Sequence, residues 1–463
     1  MFARLSHSED REPRHRPSLA DGERSSVSKA VASATRFDTL WLWYLGRPAS
    51  PQLVGELQLL NVGGGVSLTY AGTWLETGFR LSEDLPLADM EHLPRANGRA
   101  AGAVDDARPD RWGERVIQFL DKPARLSLME YLYYAGDDRF GALGVSSSKD
   151  EYLPRRNGPL PQLANAQALS EVMRKISARE PLTDIERRMA TAGGSFGGAK
   201  PKALITIDGV EWVLKFFSGE PVDVPLIEHA SMTLAANAGI RVAETMPVAL
   251  AGETALAVRR FDRTPNGRIH CLSAGTALRA AVAAEQPADL GYPGLAQLLR
   301  RAGDTSEGAN RQEMREVFRR MVFNILIDNT DDHEKNHSLM WVPGSREGRL
   351  RLAPAYDVLP TNSGQGHQEF VVGAEGRDST LANAMSQCTL FGLEGKAAAQ
   401  EVLSIIAVVD RWRDHFTACG VAQTDIESLA GRIDGAELLR ERRGFSPVGY
   451  AAPAPKRRRH PFS

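Results

Sequence analysis

Asn329-Thr330-Asp331-Asp332-His333-Glu334-Lys335-Asn336, with Asp357 following 21 residues after the asparagine, decides how this chain is read. A carboxylate, four intervening residues, an asparagine and then a second aspartate is the order in which phosphoryl-transfer enzymes supply a base and two metal ligands. On that spacing Asp331 is the candidate base or hydroxyl-orienting group, and Asn336 and Asp357 are the candidate Mg2+ ligands. Asp332 is a rival for the base, but only Asp331 has the right distance to Asn336. The same letters contain His333-Glu334-Lys335-Asn336-His337, formally the H-E-x-x-H signature of zinc hydrolases, with Asp357 available as a third ligand. That chemistry needs both imidazoles on one face of a sustained helix, whereas Asn329–Asp332 reads as a turn and Pro343 soon follows.

Upstream of this stretch, Met314, Val317, Phe318, Met321, Val322, Ile325 and Leu326 recur at helical spacing, so a buried helix delivers the Asp331 loop. Much earlier, Ala203–Ile207, Asp208-Gly209 and Val210–Phe217 read as a hairpin, because Asp-Gly suits a two-residue type I′ turn. This puts Lys215 on a strand as the candidate clamp for ATP phosphates. A strand-edge lysine facing water has the same letters, but a lysine among Trp212, Val213, Leu214, Phe216 and Phe217 is seldom left unpaired. Beyond Pro225, the residues Ile227, Ala230, Ser231, Leu234, Ala235 and Ala238 mark a helix that ends at Gly239. Glu228 falls in its first turn, where it could pair with Lys215 or simply favour the helix dipole from solvent.

Gly193-Gly194-Ser195-Phe196-Gly197-Gly198 precedes the hairpin and could wrap phosphates with backbone N–H groups, Gly197 and Gly198 among them. It matches neither G-x-G-x-x-G nor the P-loop, and a plain flexible turn explains it equally well. Lys200 and Lys202 add positive charge beside it, and Ser195 supplies a hydroxyl that could be self-phosphorylated.

The rest of the composition sets bounds. A chain of 463 residues with 42% apolar content has enough to bury for two or three structural units. Cys271, Cys388 and Cys419 are odd in number and far apart, which suits neither a disulfide framework nor a zinc ribbon and points to a reducing, cytoplasmic setting. No run approaches the roughly 18 apolar residues of a membrane span. Lys+Arg 56 against Asp+Glu 58 gives a net charge of −2, so whole-surface binding of nucleic acid is not indicated. Residues 1–35 read as a disordered extension. Residues 36–150 read as a small α+β unit with a strand at Val66–Tyr70, a helix near Trp112–Phe119 and an architectural role. Ser146–Pro161 is linker-like. The expected boundaries then place a nucleotide lobe at 163–262, a helical catalytic lobe at 263–445 and a basic tail at 446–463. In that tail, Lys456-Arg457-Arg458-Arg459 could meet phosphate, act as a targeting signal or be merely solvated.

With these residues assembled, the chain resembles the HipA family of bacterial toxin-like Ser/Thr kinases from about residue 40 to 440. The N-terminal likeness lies in Val54-Gly55-Glu56-Leu57, Leu81-Ser82 through Leu87 and Pro109-Asp110-Arg111-Trp112-Gly113. The kinase likeness lies in Ser195–Lys202, Lys215, Arg260-Phe261-Asp262-Arg263, Asn329–His333 with Asn336, and Pro354-Ala355-Tyr356-Asp357. The resemblance implies an α+β, two-lobed protein-kinase-like fold with a small N-terminal subdomain and an all-helical C-terminal lobe. It implies ATP and Mg2+ as cofactors, Asp331 as the catalytic residue, Asn336 and Asp357 on the metal, and Lys215 on the phosphates. Arg260 and Phe261 would form the hinge near adenine.

Autophosphorylation of Ser195 would eject the glycine-bearing loop and silence the enzyme. The implied substrate is a protein Ser or Thr, in known cases on an aminoacyl-tRNA synthetase. The implied partner is a HipB-like helix-turn-helix antitoxin on operator DNA. This chain shows no helix-turn-helix of its own, so DNA contact would be mostly indirect. Two departures are Ala199-Lys200-Pro201-Lys202 where better-known members have Ala-Gln-x-Lys, and the extended termini. The expected function is that of an ATP-dependent toxin kinase, against a catalytically weak ATP-binding corepressor or a zinc hydrolase.

Overall fold

Leu40 and Leu42 alternate with more exposed neighbours along β1 (Thr39–Tyr44) and are fully buried, the period-two signature of a strand with one face on a core. The computed structural model describes residues 36–153, 155, 158–191, 200–361 and 363–450. The expected disordered extension, Ser195, Gly197, Gly198 and the Lys456–Arg459 run lie outside these residues. With β2 (Gln52–Leu59), β3 (Val66–Tyr70), β4 (Glu91–His92) and β5 (Leu143–Ser146), β1 forms an antiparallel five-stranded sheet in the order β4-β3-β2-β1-β5. Three helices accompany it: α1 (Gly72–Thr77), α2 (Arg111–Leu120) and α3 (Leu128–Tyr134). Ser127 and Glu130 close a capping box on α3, and buried Glu130 also accepts from the Phe37 N–H at 3.1 Å.

The next sheet follows α4 (Ala166–Ala178) and α5 (Asp184–Thr191). It is built from β6 (Lys202–Ile207), β7 (Val210–Lys215), β8 (Thr245–Ala249) and β9 (Thr254–Arg259), in the antiparallel order β6-β7-β9-β8. Asp208 (φ +51°) and Gly209 (φ +77°) make the β6–β7 turn with both residues left-handed, as the Asp-Gly pair predicts. Helix α6 (Val224–Asn237) starts at Asp223, whose carboxylate accepts the Leu226 N–H at 3.1 Å, and stops at left-handed Gly239 (φ +76°). Leu169, Val172, Met173 and Ile176 of α4 pack with Trp212 and Leu214 in a core of their own. Trp112 and Val116 of α2 enter this same core. The helix read as part of the N-terminal unit therefore packs against the second sheet as well.

After a short ribbon of β10 (Arg263–Thr264) and β11 (Gly267–Arg268) come β12 (Cys271–Ser273), α7 (Ala274–Ala280), α8 (Tyr292–Ala302) and α9 (Ala309–Leu326). The expected apolar stripe of α9 is buried throughout, from Met314 to Leu326. Then follow β13 (Ser338–Trp341), β14 (Leu350–Leu352), α10 (Leu381–Ser386), α11 (Gly395–Val409), α12 (Trp412–Ala418), α13 (Gln423–Ile433) and α14 (Ala436–Gly444). The C-terminal lobe is thus mainly but not wholly helical, because β12-β13-β14 form a three-stranded sheet inside it. Strands of three or four residues are too short for alternation to register in the sequence. Among the described residues no helix is long and apolar enough to cross a membrane.

The first sheet and the helical lobe share one continuous core. Phe79 stacks on Trp341 with centroids 4.0 Å apart, and His270 Nε2 lies 2.9 Å from the Leu81 carbonyl. Residues from Arg36 onward form one compact unit. Segment 147–162 therefore joins parts of a shared body.

Candidate active site

Lys215 ends β7, and its register partner on β6 is Lys202. Its side chain is only 10% exposed, and Nζ donates to Glu228 Oε1 at 2.5 Å and to Asp357 Oδ1 at 2.8 Å. Glu228, in the first part of α6, is fully buried, so it is a partner of Lys215 and not a solvated first-turn glutamate. One ammonium thus serves two carboxylates. Burial works against the charge on Lys215, but Asp357 and Glu228 overcome it and hold its pKa above the ordinary lysine range. Lys215 in turn holds Asp357 down at about 2, against the opposing effect of burial. Glu228 shifts the other way, pushed up by burial and by the Asp357 charge despite Lys215.

Asp357 has φ +59°, a left-handed backbone that a residue with a Cβ adopts only at a cost of roughly 1–2 kcal/mol. Such strain persists where surrounding contacts impose it, and it collects at functional positions. Nearly half of the Asp357 side chain, 45%, remains open to solvent beside the lysine. An ionised, outward-facing carboxylate of this kind can take a hard cation.

The other half of the site follows α9. Asp331 is exposed, with its carboxyl pKa raised by partial burial and by Asp357, Glu369 and Asp332, and lowered by His333. Asp332 points inward and accepts from Tyr292 Oη at 2.5 Å, Asn324 Nδ2 at 2.9 Å and His337 Nε2 at 2.8 Å. Burial separates the two aspartates: Asp332 anchors the loop, and Asp331 stays exposed. Asn336 is buried, its N–H donating to the His333 carbonyl at 2.9 Å and its Nδ2 lying 3.5 Å from the Asp331 carbonyl. Tyr356 Oη donates to the Lys335 carbonyl at 2.7 Å and lies 2.6 Å from Ser338 Oγ. Through that hydroxyl the strained Asp357 segment and the 331–336 turn are tied together.

The H-E-x-x-H letters do not form a zinc site. Residues 333–337 make a turn running into β13 and not a helix. His337 is buried against Asp332 and stacked on Phe370 at 5.3 Å, while His333 Nδ1 accepts the Lys335 N–H at 3.1 Å. Among the described residues no group of three His, Cys, Asp or Glu side chains is arranged to hold a metal.

Phe261 and Arg260, the residues expected near adenine, differ in what they expose. Phe261 lies against Tyr356 in a stack with centroids 5.6 Å apart, next to Asp357, where an aromatic face can receive a base. Arg260 does not offer its side chain. The guanidinium is 1% exposed and is taken up by Asp262 at 2.7 and 2.9 Å, Glu211 at 3.1 Å and the carbonyls of Asp138 and Arg139 at 2.9 Å. The guanidinium that the resemblance places near adenine thus sits in a buried ion-pair junction. The Lys202 ammonium makes no hydrogen bond among the described residues, and burial followed by the nearby Lys215 lowers its pKa. Lys200 instead pairs with Glu220. Sequence reading missed Tyr356 and Lys335 as parts of the site, although Tyr356 stands directly before Asp357.

A two-lobed body, a strand lysine paired to a helix glutamate, and a loop bearing Asp331 and Asn336 opposite Asp357 define a kinase-like architecture. Residues 49–146 match the HipA N-terminal domain and residues 194–415 match the HipA-like C-terminal domain. A protein of Sinorhizobium fredii named "Putative kinase Y4dM" is 30% identical over 309 residues, 61% of this chain and 67% of that protein. A "Putative kinase" of Haemophilus influenzae is 27% identical over 190 residues, 36% of this chain and 52% of that relative. The chain is also similar in fold to HipA of Shewanella oneidensis, solved in complex with HipB and its operator DNA. The TM-score is 0.60 at 17% identity, covering 87% of this chain and 97% of that one. The chain belongs to the HipA family of toxin kinases.

Proposed function

We propose that this protein transfers the γ-phosphoryl group of ATP to a Ser or Thr hydroxyl of another cytoplasmic protein and acts as the toxin of a toxin–antitoxin pair. The observation that carries this reading is Lys215 held between Glu228 and Asp357, with Asp331 and Asn336 on the adjoining loop. Mg2+ on the ATP phosphates supplies neutralisation of the charge that develops during transfer. Asn336 and Asp357 offer the ion two hard oxygens, a number that suits Mg2+ because phosphates and water complete its shell. Lys215 meets the phosphates with an ammonium kept charged by its two carboxylates. Asp331 orients the acceptor hydroxyl and takes its proton, and its raised pKa brings it closer to the range a base needs. Phe261 supports the base of the nucleotide. Gly197, Gly198 and Lys202 cover the phosphates, and Ser195 is the position of autophosphorylation.

The partner we assign is a HipB-like helix-turn-helix antitoxin, with DNA reached through it; the HipA neighbour assembled with HipB and operator DNA supports this. The test is incubation of the purified protein with Mg2+ and γ-labelled ATP, followed by mapping of the labelled residue. Label that is lost in Asp331→Ala is the expected result. ATP binding without transfer would replace the kinase reading with that of an ATP-binding corepressor.

A further inference from the structure

We infer that Asp110, at the start of α2, is a positioning residue that holds the 331–336 turn in its working geometry. Asp110 occupies the N-cap of α2 with extended backbone, the place where an aspartate ordinarily accepts a hydrogen bond from its own helix. Its side chain makes no such bond. The carboxylate instead reaches 225 positions along the chain and accepts from Lys335 Nζ at 2.7 Å. Two residues on, the Trp112 indole N–H donates to the Lys202 carbonyl at 3.0 Å, at the first residue of β6. The start of α2 therefore grips both the strand that carries Lys202, beside Lys215 in register, and the loop that carries Asp331 and Asn336.

Lys335 is suited to receive that grip. It stands directly before Asn336, its N–H donates to His333 Nδ1 at 3.1 Å and its carbonyl accepts from Tyr356 Oη. Its backbone is thus part of the site while its side chain is tethered outside it. Glu114, one turn into α2, also feels the Lys335 charge, so the lysine lies near two carboxylates of the same helix. The Lys335 and Asp110 side chains are 51% and 40% exposed, and pairs so open to water add little to stability. What the contact supplies is the placement of a turn in which small displacements matter greatly.

This inference rests on the phosphoryl-transfer reading, and its test separates the two. Asp110→Asn, Lys335→Met and the charge-swapped Asp110→Lys/Lys335→Glu protein are compared with the parent by amide hydrogen exchange across 331–337. They are also compared by steady-state phosphorylation. The single variants are expected to exchange faster in that segment at unchanged melting temperature, with kcat lower by about tenfold and KM for ATP nearly constant. The swapped protein is expected to recover both. Exchange identical to the parent, or a swap that fails to restore it, overturns the inference. If the parent itself transfers no phosphate, that failure belongs to the proposed function, and the exchange measurement still decides whether Asp110 positions the turn.

Discussion

Replacing Lys215 with methionine tests whether the lysine is what permits two carboxylates to share one buried corner. Glu228 is fully buried and its second carboxylate oxygen has no hydrogen-bond partner among the described residues, so without the ammonium it must take up a proton. From its ordinary pKa of 4.5, protonation at pH 7 costs about 3.4 kcal/mol, and at pH 5 about 0.7 kcal/mol. Asp357 loses its own stabilisation too. Its shift from 3.8 to about 2 would be worth about 2.4 kcal/mol unscreened, but with 45% of the side chain in water about 1 kcal/mol is the fair figure.

Because the parent's raised Glu228 pKa already carries part of this cost, Lys215→Met should destabilise the protein by up to about 4 kcal/mol at pH 7 and up to about 2 kcal/mol at pH 5. The sign follows from proton counting. Between these pH values the folded variant keeps a proton on Glu228 that the unfolded chain has released, so stability falls as pH rises. Urea unfolding followed by tryptophan fluorescence at pH 5, 6 and 7, each against the parent, measures it. Adding Glu228→Gln should flatten the pH dependence. A loss that is the same at every pH, or smaller than about 1 kcal/mol at pH 7, would refute the charge account.

Asp331→Ala and Asp332→Ala should separate cleanly although the residues are neighbours. The first should lower transfer by roughly 10²-fold or more with ATP binding and melting temperature retained. The second should cost about 3 kcal/mol in stability by stranding Tyr292, Asn324 and His337, which denaturation reads directly. Asp357→Ala should weaken ATP binding in Mg2+ by at least about tenfold, with little change when the metal is chelated; titration calorimetry in both conditions distinguishes this. Arg260→Met should destabilise the protein by about 2 kcal/mol, because Asp262 keeps Arg263 and the Gly141 N–H but loses the buried guanidinium, yet leave ATP affinity within twofold, the opposite of what a nucleotide contact predicts.

The part of the site legible in the sequence was the part written locally. Asp331, Asn336 and Asp357 are recognisable by order and spacing, and Lys215 by the Asp208-Gly209 turn that fixes its strand. Glu228 was open between two readings, because a first-turn glutamate has the same letters whether it faces solvent or a lysine. Its complete burial decides. For Arg260 the resemblance implied a place near adenine, and the sequence carried no sign that its guanidinium is buried against Asp262 and Glu211. The contact between Asp110 and Lys335 was invisible, since only folding brings such distant positions within 2.7 Å. The strands of the C-terminal lobe escaped for a different reason, being too short to carry a period.

The left-handed backbone at Asp357 sets thermal robustness against chemistry at a single codon. Glycine removes the steric conflict outright and asparagine eases it, and either leaves Lys215 with one carboxylate, a matched pair in place of two anions around one cation. That relief of about 1–2 kcal/mol offsets the roughly 1 kcal/mol of the lost ion pair, so a library screened only for resistance to heat should retain both replacements at this position. On the proposed mechanism those survivors would have lost a metal ligand, so part of a heat-resistant population would be inert.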